Sequence, residues 1–470
     1  MRISFRDPNG FVFRSGQEIY RCVYPHATED LLSFLATPLA EAETTSGTLA
    51  SATVIEEQQA RTGSERWPPV PGGSLILKHG AIPFPNFPYE WPPEMLHAAA
   101  GLTLRLAQAA LAHGFGLKDG TPYNIMFDGP RPVFLDVLSF ERRDPLDPIW
   151  RPYGQFIRTF LYPLLANRYL GLQLDELLLT HRDGLEPERM RRMCPLGLLV
   201  RPPFLSLVTI PELVSRMKTR SSPGEFRGTQ SKDASEASFL LSRVFARAGR
   251  ILRGVPGGGE TEATRYADSG HKYSESETAV KEAAVERAFA AARPHDVLDI
   301  GSNTGRFSLL AARQGARVVA IDRDPAAVGR LWKSAASHKA DILPLVVDIA
   351  RPPGASGWAN EEQPGFLDRA RGRFDCVLML ALLHHLIVNE RAPLDAIFAL
   401  AGQLTTRTAI VEYVDPADAQ FQQILRGRAE LHRDLTTASF ETAAGRYFRI
   451  TGQCEVTPTR RIYTLEKAGG

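Results

Sequence analysis

Cysteine is scarce in this 470-residue chain. Its four residues, Cys22, Cys194, Cys376 and Cys454, lie far apart and form no Cys-x-x-Cys pair. Such spacing argues against a disulfide framework or a zinc–thiolate site and fits a reducing compartment. A surplus of one charge is missing too: 55 Lys and Arg against 53 Asp and Glu leave a net charge of +2. No electrostatic grip on nucleic acid is therefore expected. Long apolar runs are absent. None approaches the roughly 18 residues that a membrane helix needs, and the longest, around Val377–Leu383, ends in two histidines. The opening MRISFRDPNG holds no apolar core of a signal peptide. The expectation is a soluble, cytoplasmic protein with no membrane span and no metal site. Hydrophobic residues at 44% and charged residues at 23% are ordinary globular values. The length suggests about two or three domains.

What is present is concentrated in Val297–Ala312, VLDIGSNTGRFSLLAA. Val297, Leu298 and Ile300 end an apolar run that reads as a buried strand, Gly301–Gly305 make a tight turn, and a helix begins at Phe307. A glycine turn between strand and helix lets backbone N–H groups approach a ligand, because no Cβ blocks the way. Two ligands suit such a turn, a dinucleotide and S-adenosylmethionine (SAM). The dinucleotide fingerprint needs three fixed glycines, and Asn303 stands where its second would be.

The pattern Asp299-x-Gly301-x-Asn303-x-Gly305 resembles motif I of the class I SAM-dependent methyltransferases. The flanking alternation fits. Strands are predicted at Asp296–Ile300, Arg317–Ile321, Ile342–Val347, Phe374–Leu380 and Thr408–Tyr413, with helices between, and a strand pair at Tyr447–Ile450 and Arg461–Glu466. That order predicts a parallel α/β sheet whose ligand binds at the carboxyl ends of the strands. The resemblance implies a Rossmann-like seven-stranded domain with SAM as cofactor. Asp299 and the Gly301–Gly305 turn would hold its amino-acid portion, Asp322 its ribose hydroxyls and Asp348 its adenine, with Ile349, and Trp358 beside it, packing on the ring. His384, His385 and Glu412 are the candidate catalytic bases for the acceptor. Tyr273 and Lys281 are candidates to close over the cofactor, with a solvated surface charge the favoured reading of Lys281. No Asn/Asp-Pro-Pro-Tyr sequence occurs, so methylation of DNA bases is not expected. The layout is similar to bacterial methyltransferases that include the rhizobial nodulation host-specificity type, which implies a small-molecule or glycan-type acceptor.

The first half reads as α+β. Short strands are predicted at Ile3–Arg6, Phe11–Phe13, Glu18–Tyr24 and Ser74–His79. A helix over Leu31–Ala42 breaks at Pro38, residues 43–73 read as loop, and a helix runs over Leu96–His113. Asp119 and Asn124 lie five positions apart, and a predicted hairpin would bring both beside Asp136. That triple resembles the catalytic loop and metal-binding aspartate of the protein-kinase-like superfamily, which would imply Mg²⁺ and a phosphorylated nucleotide. The glycine loop of those enzymes is missing, and Val137-Leu138 follows Asp136 in place of Phe-Gly. The expectation is a degenerate kinase-like domain over residues 1–216 that recognises acceptor or partner, with a phosphotransferase-like half as the alternative. A polar linker with one arginine-rich helix, Ser238–Leu252, would span 217–272, and the methyltransferase domain 273–470.

Overall fold

The computed structural model describes residues 4, 7–55, 67–218, 230–255, 257, 275–425 and 434–468. The chain divides into two compact units, Met1–Gly258 and Gly259–Gly470.

The first unit opens with an antiparallel hairpin, β1 (Gly10–Ser15) and β2 (Glu18–Val23), turned at Gly16. The predicted Ile3–Arg6 strand falls largely outside the described residues. Two helices follow, Pro25–Leu35 and Pro38–Thr45. They separate at Pro38, where the Thr37 hydroxyl accepts the Ala40 N–H and starts the second helix. β3 (Ala52–Ile55) and β4 (Leu75–His79) complete a sheet of order β1-β2-β4-β3. β3 lies inside the stretch predicted as loop. It is a four-residue edge strand with no fully buried side chain, so no apolar run announces it.

The long helix Pro93–Leu111 buries Met95, Leu96, Ala99, Leu106 and Ala110 on one face. After it come β5 (Phe115–Leu117), β6 (Ile125–Asp128), β7 (Arg131–Phe134) and β8 (Phe140–Arg142). β6 and β7 form a hairpin nested between β5 and β8, which pair with each other antiparallel. Phe34 stacks on Phe140 at 3.9 Å and fixes the Pro25–Leu35 helix over this region. The Ala234–Arg253 helix buries Ala237, Leu241, Phe245, Ala248 and Leu252, and Phe245 meets Trp150 at 4.8 Å. Its arginines stand mostly on the opposite, exposed face.

The second unit begins with the helix Glu275–Ala292 and continues through β9 (Asp296–Ile300), β10 (Arg317–Asp322), β11 (Ile342–Val346), β12 (Phe374–Met379), β13 (Thr405–Val414), β14 (Phe448–Thr457) and β15 (Arg460–Lys467). These strands form one seven-stranded sheet in the order β11-β10-β9-β12-β13-β15-β14. The first five run parallel and the last two antiparallel. Val297, Val318, Ile342, Leu378 and Ile410 form its buried face with Val285 and Phe289 of the first helix. The strand order reverses between β9 and β12, and ligands of such sheets sit at that switch point.

Candidate active site

The turn after β9 is shaped by its glycines. Gly301 and Gly305 have φ of +77° and +83°, a region costly for residues with a Cβ. A Cβ on Gly305 would also lie 2.1 Å from Leu331 Cδ1, so space and backbone both demand glycine. Asn303, at φ +49°, is one of the few residue types that tolerate this region. The Gly301 and Ser302 N–H groups donate to the Ile321 carbonyl at 2.8 and 3.0 Å. Asp322, at the end of β10, accepts the Asn303 N–H on Oδ2 and the Asp324 N–H on Oδ1, both at 2.9 Å. Thus the carboxylate that ends one strand holds the turn that follows its neighbour.

Asp299 is 3% exposed, and its Oδ2 accepts the Ser308 hydroxyl at 2.6 Å. Burial pushes its carboxyl up to about 6 despite that bond. Burial also raises Asp322, against the two N–H groups that favour its ionised form. In the turn itself, Ser302 Oγ and Asn303 Oδ1 are buried without a hydrogen-bond partner among the described residues. Orphaned polar atoms in a strand-to-helix turn fit the ammonium and carboxylate ends of an amino-acid ligand. Asp348 follows β11, where its carboxylate accepts the Ala350 N–H and pairs with Arg351. Ile349 beside it is buried, whereas Trp358 is 66% exposed.

Glu412 of β13 has no exposed surface. Its Oε2 accepts Lys281 Nζ at 2.6 Å and the Ala381 N–H at 2.8 Å, and its Oε1 lies 3.6 Å from Arg460 Nη1. Arg460 in turn forms a bidentate pair with Asp418. The expectation of a solvated Lys281 is corrected here. The side chain is buried, held by Glu412 and set over the Phe307 ring at 5.3 Å. Helical periodicity had no way to reveal a partner 131 residues away. Ala381, which Glu412 holds, has φ +51° and begins the turn into the Leu383–Val388 helix that carries both histidines. His384 is buried with Phe421 5.9 Å away, while His385 is partly exposed with its ring 4.4 Å from that of His384. Tyr273 lies outside the described residues.

In the first unit, Asp119, Asn124 and Asp136 do come together at one end of the β6–β7 hairpin. The Leu135 N–H donates to the Asn124 carbonyl at 2.8 Å, and the pKa of Asp119 is raised by burial and then by the charge of Asp136. Arg21, which sequence reading overlooked, reaches Asp136 from β2.

Residues 273–445 match the methyltransferase domain family. The C-terminal unit is a SAM-dependent methyltransferase. The whole chain is similar to the nodulation protein NoeA of Rhizobium meliloti (strain 1021), with 27% identity over 475 residues covering 99% of this chain and 95% of the relative. Part of the chain also resembles two solved structures, at TM-scores too low to bear on function. One is the N-methyltransferase NodS of Bradyrhizobium japonicum WM9, with 12% identity, 42% of this chain, 98% of that one and a TM-score of 0.32. The other is the magnesium protoporphyrin IX methyltransferase of Synechocystis PCC 6803, with 19% identity, 47% of this chain, 94% of that one and a TM-score of 0.31.

Proposed function

We propose that this protein transfers the methyl group of SAM to a small-molecule or carbohydrate-derived acceptor, and that its first unit recognises that acceptor. The carrying observation is the run of Asp299, Asp322 and Asp348 at three successive strand ends around a glycine turn with orphaned polar atoms. Gly301, Asn303 and Gly305 give the backbone its close approach, and Asp299 lies beneath the cofactor's amino-acid end. Asp322 accepts from the ribose hydroxyls, Asp348 from the adenine amino group, and Ile349 packs on the ring. Bound SAM supplies an electrophilic methyl on sulfonium, so the chain has chiefly to hold a nucleophile in line with it, which is worth roughly 7–11 kcal/mol of barrier.

His385, partly exposed on the Leu383–Val388 helix that follows β12, is the base that takes a proton from the acceptor, and His384 shapes the wall behind it. Glu412 is sealed by Lys281 and Arg460, and in this reading it positions the Ala381 turn instead of taking a proton. The glycan-type acceptor draws on the relative, whose name assigns it to nodulation. The kinase-like character of the first unit draws on its topology: the β6–β7 hairpin, nested between paired β5 and β8, presents Asp119, Asn124 and Asp136 together. In this reading recognition rests on residues 1–216 and methyl transfer on 273–470. Incubating the protein and SAM with a saccharide-rich extract should yield a product heavier by one CH₂ in mass spectrometry. Methylation confined to protein or nucleic acid would overturn the acceptor assignment.

A further inference from the structure

Carboxylates and an asparagine gathered as Asp119, Asn124 and Asp136 are the donor set of a divalent cation. One of them, Asp136, already holds a cation. Arg21 is 8% exposed, and its Nη1 donates to Asp136 Oδ1 at 2.8 Å and to Asp7 Oδ2 at 3.4 Å. Lys118 brings a second positive charge, its Nζ 3.8 Å from Asp7 Oδ1. Asp7 and Asp136 thus share Arg21, while Lys118 lies beside Asp7 and within electrostatic reach of Asp119. His79, 7% exposed and within electrostatic reach of Arg21 and Asp136, adds no charge: burial and then Arg21 bring its pKa down to about 4. Its Nδ1 meets the Ser51 carbonyl, so the ring proton sits there and Nε2 offers a lone pair. That Nε2, with Arg21 Nε, Lys118 Nζ and Asn124 Nδ2, has no hydrogen-bond partner among the described residues.

We propose that Arg21 is the resident cation of this site: its guanidinium holds the place a divalent metal would take, and the first unit binds its ligand without metal. Displacing Arg21 would strand a nine-tenths buried charge, which opposes entry of an ion. The unpartnered Nζ, Nδ2 and Nε2 remain to meet ligand groups that both donate and accept, as hydroxyls do. This deepens the recognition role proposed above and rests on it only for its biological meaning, because metal exclusion is measured apart from acceptor dependence.

The test is a Mn²⁺ titration of the full chain, read by electron paramagnetic resonance and by thermal denaturation. Wild type should show no saturable Mn²⁺ binding that Asp136→Asn removes, and Mn²⁺ should leave its Tm unchanged. Arg21→Ala should gain one Mn²⁺ site, and Mn²⁺ should restore part of its lowered Tm. Saturable binding by wild type that disappears in Asp136→Asn overturns the proposal, as does a folded Arg21→Ala that gains no site. Should Arg21→Ala not fold, Asp136→Asn decides alone. Its Tm falls if Arg21 depends on that carboxylate, and an unchanged or raised Tm, the mark of relieved acidic repulsion, contradicts the proposal. Failure here would leave acceptor recognition by the first unit standing, since that is judged by methylation of the acceptor.

Discussion

Asp299 is an ionisable group whose burial works against the fold. Its pKa of about 6 stands above the ordinary value of 3.8, so between these the folded state holds a proton that the unfolded state releases. The destabilisation therefore grows as pH rises through that window and is complete above it, reaching roughly 3 kcal/mol. Asp299→Asn should consequently gain stability relative to wild type as pH rises from 4 to 7, measured by urea denaturation at each pH, while SAM binding weakens. A stability difference that stays flat across this range would deny that Asp299 is buried as a carboxyl. His385→Ala should lower kcat by roughly 10²–10⁴ with the KM for SAM unchanged if it is the base. A rise in the KM for SAM alone would make it a pocket wall. At this scale the sequence was legible where chemistry is local: Asp299, Asn303 and Asp322 lie beside a glycine turn that any reader can find. Lys281 and Arg21 were not, because each is defined by a partner more than 100 residues distant, at Glu412 and Asp136.

Among elements, the glycine turn and the turn after β12 carry the proposed site. Gly305 has both a left-handed backbone and Leu331 against its missing Cβ, whereas Gly315, at φ +90°, has no atom within 4 Å. Gly305→Ala should cost about 2–4 kcal/mol, combining overpacking with backbone strain, and Gly315→Ala only about 1–2 kcal/mol. Equal costs in denaturant melts would mean that Leu331 yields freely. Glu412→Gln leaves Lys281 and Arg460 buried without their full counter-charge and should cost about 3–5 kcal/mol. A loss of activity with stability intact would return Glu412 to the list of bases. Strands β9 to β12 were readable almost to the residue, since they are largely apolar runs closed by Asp or turn residues, whereas β13 starts three residues before its expected Thr408. β3 was not, because a short, half-exposed edge strand has no such signature.

Across the whole molecule, each unit has its own core and its own cluster of charged side chains, which fits a division of labour between acceptor recognition and methyl transfer. Residues 259–470 alone should retain the SAM affinity of the full chain while losing affinity for the acceptor, measured by calorimetry and by product formation. Full acceptor affinity in that fragment would remove the recognition role of residues 1–216. The C-terminal unit was legible because regular strand–helix alternation fixes both its sheet and its ligand edge. In the first unit the strands β1, β2 and β4, the break at Pro38, the long helix and the hairpin were legible, because each has an apolar run, a proline or a turn to mark it. The central claim, that the Asp-ended strands around Gly301–Gly305 bind SAM, is tested most directly by titrating SAM into the full chain in a calorimeter. Wild type should bind at one site, and Asp322→Ala should weaken that binding by at least about tenfold, the loss of one charge-assisted hydrogen bond. No binding by wild type, or equal binding by the variant, would contradict it.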